Sequence, residues 1–179
     1  MGVFHLDDES YTVWQTYADK IVVYPRFSPD GQKLAYLLIP DNNVPFPVGE
    51  LWVADPAQQS FTLLDNQADA GHGFPPVWRP DSSSVTYVRR EPSTPPQADQ
   101  NALLLHSNIY EADPLTRKRT PLTHFSGAMV YDIVWSGNGK QLAFTAQDAI
   151  WILTPGHVPT RITSDNVLAR HPLWLSLGK

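Results

Sequence analysis

The sequence contains no cysteine, which excludes a disulfide framework and a thiolate metal site alike. It has no run approaching the ~18 apolar residues of a membrane-spanning helix. Its opening residues, MGVFHLDDESY, have neither the basic start nor the apolar stretch of a secretory signal. A soluble chain with no membrane span is expected, its compartment left open; an exported product would carry its signal upstream or have lost it. Positive charge is also in short supply. The 13 Lys and Arg stand against 18 Asp and Glu, a formal net charge of -5, so there is no electrostatic footprint for nucleic acid. The one basic run, Arg117-Lys118-Arg119, falls in a predicted hairpin turn and reads as solvated.

The motifs of covalent and phosphate chemistry are missing as well. There is no Gly-x-Ser-x-Gly elbow, no His-Glu-x-x-His helix and no phosphate-cradling loop, since Leu177-Gly178-Lys179 has only the tail of one. No Asn-x-Ser/Thr acceptor occurs. No catalytic residue, cofactor or metal site is assigned from the sequence.

What the sequence does contain is a repeat. Hydrophobic residues make up 42%, charged residues 17%, and there are 17 prolines, a balance that suits many short strands joined by turns rather than disorder. Pro25 to Tyr36, PRFSPDGQKLAY, has Phe27-Ser-Pro-Asp-Gly31 followed by Leu34-Ala-Tyr36. Trp78-Arg-Pro-Asp-Ser82 with Val85-Thr-Tyr87 is a second copy, and Trp135-Ser-Gly-Asn-Gly139 with Leu142-Ala-Phe144 is a third. Trp174-Leu-Ser-Leu-Gly178 begins a fourth. Each copy reads as a strand, a tight turn and a returning strand, because Asp and Asn bond their own backbone and Gly accepts positive φ. A third strand follows with an aliphatic-aromatic pair, Leu51-Trp52, Ile109-Tyr110 or Ile150-Trp151, and then a fourth, Phe61 to Leu64, Arg119 to Thr123 or Thr160 to Thr163. Val3 to Asp7 and Tyr11 to Trp14 match the third- and fourth-strand signatures, so the chain starts midway through a unit.

The predicted fold is all-β, a β-propeller of four-stranded antiparallel blades, with three complete blades and partial ones at both ends. The whole of 1–179 is one partial ring: two strands over 1–20, blades over 21–68, 69–124 and 125–166, and a first strand over 167–179. The Trp135-to-Trp174 spacing is near the ~40–45 residues of a propeller blade. The marker aromatics Phe27, Trp78, Trp135 and Trp174 are expected as core between blades, with Asp30, Gly31, Asp81 and Gly139 as turn residues. Turn capping also accounts for Asp7, Asp55 and Asp113. The residue before each marker is aliphatic except Arg26, whose stem is expected to pack while its head reaches water. Closing four blades would pair a first strand with a third across a missing second, a strained arrangement. An incomplete ring is preferred, either part of a longer propeller or a half completed by another chain.

At Pro25, Phe27, Ser28, Pro29, Asp30, Gly31, Leu34, Ala35 and Tyr36 the sequence resembles the TolB-like, WD-like propeller repeats. The second copy has Ser82 where Gly is usual, and the third replaces Pro-Asp with Gly137-Asn138. The resemblance implies a domain that scaffolds, gates or binds while any covalent chemistry lies elsewhere; its members are often extracytoplasmic.

Two long loops join second to third strands, Pro40 to Gly49 and Arg90 to Asn108, and a long connection runs from Leu64 to Pro76. Such loops open on one rim of a propeller, and insertions grouped on one face mark a binding face. The candidate binding residues are Phe46, His72, Phe74, Arg90 and His106, with Leu103-Leu104-Leu105 either as an apolar anchor or as the start of an extended third strand. His72, His124 and His171 all fall between units at unmatched offsets and read as solvated. The expected function is a non-catalytic scaffold for a protein or peptide partner, or one completed by a second copy. The alternatives are the substrate-gating propeller of a prolyl oligopeptidase-like or tricorn-like hydrolase and, more remotely, an enzyme with its site in the channel mouth.

Overall fold

The turns take up the conformations their residues permit. In the computed structural model, which describes residues 1–71 and 74–175, Gly31, Ser82 and Gly139 have φ of 73°, 61° and 67°. This left-handed region is open to Gly and costly for Ser. Backbone amides of Gln32, Ser83 and Lys140 donate to Asp30 Oδ1, Asp81 Oδ1 and Asn138 Oδ1 at 3.0, 3.1 and 3.0 Å. Hydrogen bonds, chiefly from Ser28 and Ser83, hold the Asp30 and Asp81 carboxyls below their usual range. Asp55 and Asp113 cap their own turns in the same way, while in the N-terminal hairpin the cap is Asp8.

These turns connect short antiparallel strands. β1 (Gly2–His5) and β2 (Ser10–Val13) form a hairpin sheet of their own. A first unit contains β3 (Lys20–Phe27), β4 (Leu34–Pro40), β5 (Val48–Asp55) and β6 (Ser60–Asp69). A second contains β7 (Val77–Trp78), β8 (Val85–Arg90), β9 (Ser107–Ala112) and β10 (Arg119–Pro121), and a third β11 (Val130–Trp135), β12 (Leu142–Ala146), β13 (Ala149–Leu153) and β14 (Thr160–Arg161). One bridge, Ala68 to Arg89, merges the first two units into an eight-stranded sheet, and the third is a separate four-stranded sheet. No strand pairing joins the hairpin to the third unit, so the described sheets do not close a ring. Residues 167–175, expected as the start of a further first strand, form no strand, and 176–179 lie outside the described residues. No helix among the described residues is long and apolar enough to cross a membrane.

The inner strands of the first and third units carry the same irregularity. Register shifts between Val23 and Arg26 and between Tyr131 and Val134, around Tyr24 and Asp132, which both have φ of 54°. These are bulges that bend the strand. In the second unit Pro75 and Pro76 occupy this stretch and supply no amide hydrogen, leaving β7 only two residues long.

Alternation on the second strand of each unit explains the aliphatic-Ala-aromatic signature. Leu34 and Tyr36 face the hairpin, while Ala35 and Leu37 face the second unit. Val85 and Tyr87 face the first unit, and Val88 faces the third. The middle residue, Ala35, Thr86 or Ala143, points at the following unit, whose marker tryptophan stands against it. Trp78 shares a cluster with Ala35 and donates Nε1 to Arg26 O at 2.9 Å. Trp135 donates to Thr86 Oγ1 at 2.9 Å. Trp174 donates to Val134 O at 3.1 Å, and Val134 pairs with Ala143.

Two of the four expected core aromatics are not core. Trp78 and Trp135 are each 7% exposed, but Phe27 is 55% and Trp174 37% exposed. Phe27 faces the hairpin side, where only two outer strands precede it, and Trp174 sits on the third unit with no described strand beyond it. Arg26 is exposed, its guanidinium on Pro25 O; its backbone carbonyl, not its charge, makes the contact between units.

Trp78→Ala is therefore expected to cost about 3–5 kcal/mol by cavity formation, and Phe27→Ala less than about 1 kcal/mol. Urea unfolding of the two variants checks the contrast; equal losses would contradict this account of the interfaces.

A candidate binding groove on the loop rim

The rim is tied together by acids that lie in a stretch read from sequence as a loop. β6 runs on to Asp69 because Asp65 and Asp69 meet partners on the second unit. Asp65, fully buried, accepts from Tyr87 Oη at 2.5 Å and Arg89 Nε at 2.9 Å, and forms an ion pair with the Arg119 guanidinium at 3.0 Å. Burial pushes its pKa up, but the Tyr87 hydrogen bond and the two guanidinium groups outweigh this and hold it below the ordinary value. Asp69 is buried more deeply against Arg90 at 2.8 Å, and there desolvation wins and raises the pKa.

Arg90 is the knot of this arrangement. Buried itself, it pairs with Asp69 and Asp99 and donates to Phe46 O at 2.8 Å. Phe46 N donates to Asp99 O at 3.1 Å. The two long second-to-third-strand loops are thus fastened to each other beside β6. Leu103 and Leu104 lie in a 3-10 turn, Ala102–Leu104, not in an extended strand; Leu103 is exposed and Leu105 buried.

Above this knot the loops enclose a groove of about 490 Å³. Phe46, Phe74, Leu103 and Leu105 line it together with Met129 and Tyr131 of the third unit. Phe74 meets Tyr131 edge-on, with ring centroids 6.3 Å apart. Burial raises the Tyr131 pKa. At the groove edge the Asp148 carboxylate pairs with Arg170 at 2.6 Å.

Of the residues singled out in the sequence, Phe46 and Phe74 line the groove, and Arg90 supports it from outside its lining. His106 is turned to Ser93 Oγ at 3.2 Å and is not part of the lining. His72 lies outside the described residues. Tyr131, Met129 and Asp148 are additions from short loops and strand ends that carry no insertion to draw attention, and Arg170 is an addition from the strandless stretch after β14. His124 and His171 do not gather with one another: His124 lines a separate cleft, and His171 pairs with Asp132 at 2.8 Å. Among the described residues no cluster of three or more His, Asp or Glu could hold a metal. That separate cleft, about 590 Å³, opens where the short outer strands of the second and third units splay apart, with Phe125 already stacked edge-on against Trp151. The rim groove combines apolar walls with an exposed ion pair, an arrangement able to hold a side chain and orient the polar chain around it.

No protein-family model matches the sequence, and no curated relative does. Solved structures share its fold. A prolyl endopeptidase aligns with 84% of this chain and 24% of its own, at a TM-score of 0.61 and 18% identity. Dipeptidyl peptidase 4 of Porphyromonas gingivalis aligns with 90% of this chain and 28% of its own, at 0.61 and 13%. A chain from the mitotic checkpoint complex aligns with 92% and 45% respectively, at 0.62 and 18%. The likeness is one of fold, and the fold is that of β-propeller domains. The chain spans less than half the length of each of these proteins.

Arg90→Met leaves Asp69 buried without its cation and is expected to cost about 3–5 kcal/mol in urea unfolding; a loss under about 1 kcal/mol would remove Arg90 from this role. Asp65, with a folded pKa below its unfolded value of ~3.9, contributes stability that is complete above that value and is lost as pH falls through the folded one. Asp65→Asn should therefore destabilise the protein at neutral pH and weaken the fall in stability on acidification, followed by unfolding titrations between neutral and strongly acidic pH.

Proposed function

We propose that the protein is a non-catalytic, TolB-like propeller segment that holds a protein or peptide partner in the rim groove. The observation that carries this reading is convergence: Phe46, Phe74 and Leu103, from three separate loops, line one groove together with Tyr131 and Met129 of another unit. An extended peptide with a large apolar side chain suits it. The side chain enters between Phe46 and Leu103, and the Asp148–Arg170 pair meets the polar backbone at the edge. The fold likeness to a chain of the mitotic checkpoint complex, an assembly by name, supports a scaffolding role.

A second reading has the fold likeness to a prolyl endopeptidase and a dipeptidyl peptidase in its favour. In it, the same groove belongs to the substrate-gating propeller of a prolyl oligopeptidase-like or tricorn-like hydrolase. Both readings place no covalent step on this chain.

Binding to a peptide array of varied apolar residues tests the groove. Phe46→Ala and Leu103→Asp are each expected to weaken the best peptides by about tenfold or more, the equivalent of one lost side-chain burial. Gln32→Ala, in a first-to-second-strand turn, should leave them unchanged. Peptidyl p-nitroanilides should stay intact. An array without binders, or binding indifferent to Leu103→Asp, would overturn the proposal.

A further inference from the structure

The groove is apolar, but the rim around it is unevenly charged. The three long stretches that open there are Pro40 to Gly49, Leu64 to Pro76 and Arg90 to Asn108. They contain Asp41, Asp65, Asp69, Glu91 and Asp99 and, of lysine and arginine, only Arg90. The basic run Arg117-Lys118-Arg119 lies around the β9–β10 turn, at the other end of the strands. Two of the rim acids are answered in the interior, Asp65 by Arg89 and Arg119, and Asp69 by Arg90. The Arg90 side chain is only 6% exposed, so its charge offers nothing to a partner.

What reaches solvent at the groove is Asp99, Asp148 and Arg170, whose side chains are 45%, 48% and 54% exposed, two carboxylates against one guanidinium. Asp99 stands beside Phe46, whose backbone amide donates to its carbonyl. Asp132, next to Tyr131, adds a third carboxylate, paired with His171 at 2.8 Å. Arg170 is already engaged: its Nε and Nη2 both donate to one Asp148 oxygen, Oδ1, at 3.1 and 2.6 Å. The other oxygen, Oδ2, accepts no hydrogen bond among the described residues, and Asp148 lines the groove. Its position is also fixed. Gln147 and Asp148, with φ of 52° and 54°, form the two-residue turn of the β12–β13 hairpin, and such turns require this left-handed pair. Ala169 N donates to Asp148 O at 2.9 Å, tying the turn to the segment that carries Arg170.

We infer that the groove selects a basic peptide, one in which a large apolar residue has a lysine or arginine within two residues of it. The inference rests on the reading of the groove as a peptide site and adds the charge of the peptide. The apolar side chain fills the groove and the cation meets Asp148 Oδ2, with Asp99 and Asp132 adding to the attraction. An acidic neighbour in the same place meets an excess of negative charge. Complementarity of this kind discriminates between partners more than it adds affinity.

The test is fluorescence anisotropy with peptides blocked at both ends, so that no terminal charge contributes. A phenylalanine is flanked by Lys, by Gln or by Glu, and a further Lys-flanked peptide has Ala in its place. The Lys-flanked phenylalanine peptide is expected to bind about three- to fivefold more tightly than the Gln-flanked one, as an exposed ion pair allows. The Glu-flanked peptide should bind more weakly than either, and the Lys preference should shrink as salt is raised. Asp148→Asn keeps a residue suited to the turn and should abolish the preference. Asp113→Asn, the same change of net charge at the β9–β10 turn, should leave it intact. Equal binding of the Lys- and Gln-flanked peptides overturns the inference and leaves the groove reading standing. A preference that survives Asp148→Asn, or an Ala peptide that binds as tightly as its phenylalanine counterpart, also overturns it, since charge then acts without the groove. If no phenylalanine peptide binds, the groove reading itself fails and takes the inference with it.

Discussion

A tryptophan from one unit standing on a small residue of the unit before it is the contact on which the rest of the molecule depends. An indole brings a large apolar area and one N–H that must find an acceptor when buried. Trp78 finds Arg26 O, Trp135 finds Thr86 Oγ1 and Trp174 finds Val134 O. The ring can reach those acceptors only if the second strand presents a small side chain at that point, and it presents Ala35, Thr86 and Ala143. Apolar area supplies the attraction, while the directional N–H sets where along the strand each sheet sits on its neighbour. The spacing of the sheets, and with it the opposition of the rim loops, follows from this contact.

Charge completes what the indoles begin. Asp65 receives a phenol and two guanidinium groups from two strands of the second unit, β8 and β10, a match available in only one alignment. Buried carboxylates are expensive to desolvate, so such contacts are weak as adhesive and strong as constraint. Arg90 carries the constraint outward, since its bonds to Asp69, Asp99 and Phe46 O hold two long loops together. The groove walls are therefore placed by buried charge beside them, although the walls themselves are apolar.

The parts legible in the sequence were those decided within a few residues of chain. Asp30-Gly31 and Asn138-Gly139 announce their turns because the side chains bond the adjacent backbone, and Leu34-Ala-Tyr36 announces a strand buried on both faces. Phe46, Phe74 and Leu103 stood out because apolar residues in long Pro-rich loops have no local reason to be there. Asp65-Asn66-Gln67 looked like loop because its partners, Tyr87 and Arg89, lie on another unit, and no local pattern encodes them. Phe27 is identical in pattern to the buried markers and is exposed only because of what precedes it in space. Tyr131 carried no signal because its strand is of ordinary length, and Arg170 carried none because its stretch read as the start of a further first strand.

The sequence by itself determined the repeating unit: an all-β chain of short antiparallel strands, its turns, the aromatic that marks each unit and the small residue that receives it. These follow from backbone chemistry and two-residue alternation, which act locally. Only the tertiary structure decided which markers are buried, how far β6 extends, which acids are paired and which loops meet across the groove. Those outcomes depend on residues distant in sequence reaching one place, and on whether a neighbouring sheet is there to cover a face.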